Sequence, residues 1–141
     1  MSALEMRYEV PGNDFTRAGE ASSAIKNKLK QMGIPPGVVR NVAIAVYEGE
    51  INMVIHASGG TIDVFVDSDA VSLVLRDTGG GIPDVELAMR EGYTTAKEDI
   101  RSLGFGAGMG IPNMIKYTDE FKINSEVGKG TVVEMKVYLE K

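Results

Sequence analysis

Glu48 and Asn52 are four residues apart in Val42–Ala57 (VAIAVYEGEINMVIHA), a segment that reads as a helix. That spacing is one helical turn, so a carboxylate and an amide project from the same face. The rest of the segment is largely apolar (Val42, Ala43, Ile44, Ala45, Val46, Ile51, Met53, Val54, Ile55), the pattern of a buried helix. A carboxylate and an amide placed there are expensive unless something satisfies them. A divalent metal would do so, because both offer the hard oxygen donors that magnesium accepts. The alternative is two polar residues at a helix edge, facing water.

Three glycine-containing stretches follow downstream. Asp77-Thr78-Gly79-Gly80-Gly81-Ile82-Pro83 comes directly after a predicted strand. Its aspartate is placed to accept a hydrogen bond at the rim of a sheet, and its glycines let backbone pass close to a flat ligand. An exposed turn held by an Asx hydrogen bond is the alternative. Gly104-Phe105-Gly106-Ala107-Gly108-Met109-Gly110 leads into a helix. Backbone N–H groups of such a turn, joined to a helix N-terminus, make an anion site suited to phosphates, with a flexible linker as the alternative. The Gly-Lys-Ser/Thr ending of a Walker A loop is absent, and no βαβ unit surrounds the run. Gly128-Lys129-Gly130-Thr131, the third stretch, is explained in isolation by a hairpin turn.

The elements that must position these residues are legible as periodicities. Met6–Val10 alternates as a short strand, stopped by Pro11-Gly12. Asn13 or Asp14 can cap a helix to about Met32, whose apolar positions (Phe15, Ala18, Ala21, Ile25, Leu29, Met32) recur at three- and four-residue spacing. Gly33 ends it, and Pro35-Pro36 opens the central helix. Gly49 inside that helix costs about 1 kcal/mol relative to alanine and suggests a close approach of another element. Gly59-Gly60 is expected as a turn, then Thr61–Val66 and Val71–Arg76 as a hairpin around Asp67–Ala70. Asp84–Glu91 suits one or two helical turns, and the stretch from Gly92 to Gly110 reads as a long loop of the kind that is functional or mobile. Ile111–Tyr117 is a short helix; Glu120–Ser125 and Thr131–Leu139 are strands. Antiparallel strands with helices on one face make a two-layer α/β (α+β) sandwich with a mixed, mostly antiparallel sheet.

The totals bound the function class. The 141 residues suit one domain, residues 1–141, and 43% hydrophobic with 25% charged residues is ordinary globular composition. A net charge of −5 argues against a general nucleic-acid binder, but local phosphate recognition remains open. The lack of cysteine excludes disulfides and thiolate metal sites. The start shows no signal peptide and no stretch of eighteen apolar residues occurs, so a cytoplasmic protein without a membrane partner is expected.

In order, a Glu-x-x-x-Asn helix, Asp-x-Gly-x-Gly-Ile-Pro, Gly-x-Gly-x-Gly before a helix, and Gly-x-Gly-Thr in the last hairpin resemble the GHKL superfamily. This group of Bergerat-fold ATPases comprises DNA gyrase, Hsp90, histidine kinases and mismatch-repair ATPases. The resemblance covers almost the whole chain. Large extra domains and an upstream phosphoacceptor hairpin are not seen, and the one histidine, His56, reads as a structural helix-end residue. The chain therefore looks like the small anti-sigma factor serine kinases and stress-signalling switch kinases. Glu91-Gly92-Tyr93-Thr94-Thr95, Asp119-Glu120-Phe121 and Ser125–Thr131 point to the switch-kinase members.

The resemblance implies ATP and Mg2+ as cofactors, and roles residue by residue. Asn52 matches the magnesium-binding asparagine and Glu48 the general base toward the attacking hydroxyl. Asp77 matches the acceptor from the adenine amino group, assisted through water by Thr131. Gly79 and Gly81, with Ile82 beside them, let adenine approach the backbone. Gly106, Gly108 and Gly110, with Met109 between them, match the lid that wraps the phosphates. Arg101 is a candidate γ-phosphate contact within that lid; Lys97 and Lys116 are others, each with a solvated lysine as the alternative. The implied activity is serine/threonine phosphorylation of a STAS-domain antagonist protein. A sigma factor or a phosphatase activator is a further candidate partner, and a homodimer is admitted. The rival readings are a nucleotide-dependent binding regulator with little chemistry and an orphan ATP-binding domain that acts with a separate phosphoacceptor protein on histidine.

Overall fold

The computed structural model describes residues 4–11, 17–56, 59–77, 110–126 and 130–139. The elements run β1 (Leu4–Pro11), α1 (Glu20–Gln31), α2 (Pro36–His56), β2 (Gly59–Val66), β3 (Ala70–Asp77), α3 (Gly110–Lys116), β4 (Glu120–Glu126) and β5 (Gly130–Tyr138). Five strands form one sheet in the order β1-β2-β3-β5-β4, and all four pairings are antiparallel. The expected two-layer α+β sandwich is what forms.

Alternation along the strands decides which side of the sheet is covered. Ile62, Val64 and Val66 of β2, Leu73 and Leu75 of β3, and Val133, Met135 and Val137 of β5 are buried on one face. Val39, Val42, Val46 and Val54 of α2, Ile25 and Leu29 of α1, and Met114 of α3 complete the same core. Each fully buried aliphatic side chain contributes about 1.5–3 kcal/mol, so the helical layer is held mainly by this face. Glu5, Arg7 and Glu9 alternate to the opposite side and are exposed.

Two expected boundaries differ. Arg17–Gly19 form a turn and α1 begins at Glu20 with Gly19 as its N-cap, later than the predicted start; Asn13, Asp14 and Phe15 lie outside the described residues. Gly59 and Gly60 are the first residues of β2 rather than a turn, paired with Pro11 and Val10 of β1. A Cβ at Gly60 would overlap the Arg76 carbonyl, so glycine here serves the close approach of β3. The end of α1 is as expected. Gly33 has φ +77°, its N–H bonds the Lys30 carbonyl and that of Ile34 bonds Leu29, both at 3.1 Å. This is the Schellman arrangement, and buried Ile34 and Leu29 supply its apolar contact.

Candidate functional site

The first turn of α1 is without a cap of its own. Its N-cap is Gly19 in the left-handed region (φ +98°), with no side chain to accept from the orphan N–H groups. The acceptor comes from α2. The Glu50 carboxylate accepts from Gly19 N–H at 3.0 Å and Ala21 N–H at 3.2 Å through Oε2, and from Ser22 N–H at 2.9 Å through Oε1. Glu50 is 2% exposed, so an ionisable group is buried only because three backbone donors meet it. Successive helical residues turn by about 100°, so Glu50 points roughly opposite to Glu48.

Glu48 therefore faces the other way. It is half-buried, and its Oε1 accepts from Asn113 Nδ2 of α3 at 3.4 Å. Burial raises its carboxyl above the usual range, and the Asn113 amide partly offsets this. Asn52, one turn on, is also half-buried. Gly49 lies between these contacts and explains how α2 sits so low. A Cβ there would collide with Leu75 of β3 and lie 3.5 Å from the Met114 sulfur of α3. The close approach suggested by that glycine is thus present, with both β3 and α3.

Leu75 is two residues before Asp77, so the Glu48–Asn52 turn stands over the end of β3 that carries the aspartate. Asp77 is opposite Thr131 in the β3–β5 register, and Thr131 N–H donates to its Oδ1 at 3.2 Å. Thr131 is buried, and its hydroxyl is 2.8 Å from that of Ser125 on β4. A carboxylate and two hydroxyls are thereby fixed at one end of the sheet.

Of the residues singled out from sequence, Glu48 and Asn52 share the expected helix face, and Asp77 and Thr131 are adjacent. Gly110 is the first residue of α3. Gly79, Gly81, Ile82, Arg101, Gly106, Gly108 and Met109 lie outside the described residues, as does Lys97. Lys116 is exposed and rests 5.4 Å from the Tyr117 ring centre. His56 is the last residue of α2. Glu50 and Asn113 were missed. Glu50 had a signal, a carboxylate on the apolar side of a buried helix; Asn113 had none beyond its place after the glycine run.

The donors fit a magnesium nucleotide. Asn52 offers an amide oxygen, with the Glu48 carboxylate one turn away on the same face, and no group of three acidic, histidine or cysteine side chains occurs among the described residues. A magnesium ion held here would complete its shell from phosphate oxygens and water, its ordinary arrangement with nucleotides. No helix among the described residues is long and apolar enough to cross a membrane.

Residues 13–137 match the model of the histidine kinase-like ATPase domain. The anti-sigma F factor of Geobacillus stearothermophilus is 38% identical over 107 residues, covering 71% of this chain and 70% of the relative. The serine/threonine-protein kinase RsbT of Bacillus subtilis is 27% identical over 113 residues, covering 77% and 79%. Among solved structures, the mycobacterial sensor histidine kinase MprB superposes with a TM-score of 0.55 at 14% identity, over 96% of this chain and 97% of that one. The last likeness is one of fold.

Proposed function

The chain belongs to the histidine kinase-like ATPase (GHKL) family, and from that premise we propose that it is an ATP- and magnesium-dependent serine/threonine protein kinase of the anti-sigma or switch-kinase type. The observation that carries the proposal is Glu48, a half-buried carboxylate with a raised pKa, one turn from Asn52. A carboxylate with its affinity for protons increased by burial is a better base toward a serine or threonine hydroxyl. The names of the relatives, an anti-sigma F factor and a serine/threonine-protein kinase, agree with this reading.

The residues take the following parts. Asn52 holds the magnesium ion, which when bound neutralises phosphate charge for transfer. Glu48 accepts the proton of the attacking hydroxyl, and Asn113 orients its carboxylate. Asp77, steadied by Thr131 N–H, accepts from the adenine amino group. The Thr131 and Ser125 hydroxyls, bonded to each other, offer a site for a bridging water. Gly79, Gly81 and Ile82 at the adenine, and Arg101, Gly106, Gly108, Met109 and Gly110 at the phosphates, follow from the resemblance. The acceptor is a STAS-domain antagonist protein in the cytoplasm, and residues 1–141 act as one domain. A nucleotide-dependent regulator that binds a sigma factor or another partner is the second reading, favoured by the anti-sigma name of the 38% identical relative.

Calorimetric titration with ATP and magnesium, on wild type and Asn52→Ala together, tests the pocket. Wild type should bind, and the variant should lose the magnesium dependence. Transfer of labelled γ-phosphate to a cognate STAS protein then separates the readings. Glu48→Gln should reduce transfer by about 100-fold or more, the scale of a lost general base, and leave ATP binding within about threefold. Wild-type transfer in Glu48→Gln would remove Glu48 from that role. Absence of any transfer by wild type, with ATP-dependent partner binding intact, would establish the regulator instead.

A further inference from the structure

From Ala21 to Tyr47 the chain contains four cations, Lys26, Lys28, Lys30 and Arg40, and no aspartate or glutamate, although the whole chain carries −5. Lys26 and Lys30 are one turn apart on α1, and with Arg40 of α2 they rim an open groove of about 560 Å³ between the two helices. Ile34, Val39 and Ala43 are among its apolar lining residues. None of the three cations has an ion-pair partner among the described residues, whereas Arg7, Arg17 and Arg76 each pair with a carboxylate.

Local structure explains only part of this charge. Lys30 and Lys28 lie in the last turn of α1, where the helix dipole favours cations. Arg40 stands one turn into α2, toward the end where the dipole favours anions, and no acidic residue occupies the first turn of that helix. The groove thus combines an apolar lining with an uncompensated positive rim.

We propose that this groove docks an acidic amphipathic helix of a partner protein, which inserts an apolar side chain between Lys26 and Arg40 and sets its own carboxylates against the rim. The volume suits a few side chains, and helix-in-groove docking uses this combination of apolar anchor and flanking charge. Arg40 precedes Glu48 by eight residues, roughly 12 Å along the helix axis, so an occupant leaves the Glu48 face of α2 open. The surface needs no nucleotide and stands or falls apart from the kinase reading.

The probe is a fluorescein-labelled helical peptide of repeated Glu-Leu-Leu-Glu-Glu-Leu-Glu, whose leucines share one helix face, followed by anisotropy against the full chain without nucleotide. Binding is expected in roughly the tens of micromolar at low salt and should weaken several-fold when salt shortens the screening length. The exposed triple variant K26E/K30E/R40E should weaken it about tenfold or more, and a Lys-for-Glu version of the peptide should bind that variant in preference to wild type. Ala43→Trp fills the groove without changing charge and should also weaken binding; Ala43→Gln serves if the larger residue disturbs the fold, checked by circular dichroism. No peptide binding below about 1 mM would overturn the proposal, as would equal binding by the triple variant. Loss on charge reversal but not on filling the groove would do the same, because it leaves charge without a docked segment. Preference for a single-stranded oligonucleotide or for vesicles containing phosphatidylserine would reassign the patch. Self-association abolished by the triple variant, with no peptide binding, would make a second copy the occupant.

Discussion

Ser22 donates its backbone N–H to the Glu50 carboxylate at 2.9 Å across 28 positions of sequence, and so ties the first turn of α1 to the helix that carries Glu48 and Asn52. Gly19 and Ala21 add two more donors to the same carboxylate. Glu50 on one side of α2 and Glu48 with its Asn113 contact on the other side are anchored to different helices. The rotation of α2 about its own axis is therefore set from both sides, and with it the direction in which Asn52 points.

Removing the Glu50 carboxylate should destabilise the fold well beyond an ordinary surface change. Glu50→Ala leaves three donors without an acceptor and takes away the carboxylate that caps α1, a loss of about 2–4 kcal/mol. Glu50→Gln should cost less, because its carbonyl still accepts while its amide opposes a donor. Urea denaturation measures both. A change under about 0.5 kcal/mol for Glu50→Ala would mean that water replaces the carboxylate freely.

Gly49→Ala sets two effects against each other. Alanine gains about 1 kcal/mol of helix propensity, but its Cβ meets the Leu75 side chain, and overpacking of that kind costs about 1–3 kcal/mol. A net loss of stability is expected. Leu75→Val shortens the obstructing side chain, so the penalty of Gly49→Ala should shrink in that background. A double-mutant cycle reads the coupling, and additivity would show that the two positions do not press on each other.

The raised pKa of Glu48 makes a signed prediction about pH. A carboxyl that holds its proton more tightly when folded stabilises the fold fully below the unfolded pKa, and that contribution disappears as pH rises through the folded value. Glu48→Gln should thus gain stability relative to wild type as pH rises from mildly acidic to neutral, even as transfer is lost. Asn113→Ala removes the hydrogen bond that lowers this pKa, so the acidic limb of the activity profile should move to higher pH. Thermal midpoints and rates across a pH series test the pair of shifts; an unmoved limb in Asn113→Ala would detach the two residues.

Asp63 behaves in the opposite sense. It is buried on the sheet face away from the helices, hydrogen-bonded by Arg7 at 2.6 and 3.0 Å and approached by Arg76 at 3.5 Å. The Arg7 hydrogen bond is the main cause holding its carboxyl below the usual range. The stabilisation is present above the unfolded pKa and is lost as pH falls through the depressed value. Asp63→Asn should be less stable than wild type at neutral pH, and the difference should narrow in acid. A constant difference across the series would point to lost packing rather than charge.

Much of the fold was legible in the chain because its signals are local. Alternation in TIDVFV and VSLVLR yields two strands whose odd and even residues separate onto two faces, and Gly33 marks the stop of α1 by its conformation alone. The four-residue spacing of Glu48 and Asn52 already placed both on one face of a helix. Other features depend on partners distant in sequence. Gly59-Gly60 reads as a turn until β3 is beside it, since only the Arg76 carbonyl shows why a side chain has no room. The start of α1 was misread because Asn13 and Asp14 are good caps by type, whereas its acceptor, Glu50, belongs to another helix. The faces of the strands and the shared face of Glu48 and Asn52 each follow from the period of one segment, and so are written in the chain. Tertiary structure alone decided that Glu50 caps α1, that Asn113 meets Glu48, and that Asp77 meets Thr131. A hydrogen bond has a range of about 3 Å, and only the packed chain brings such groups within it.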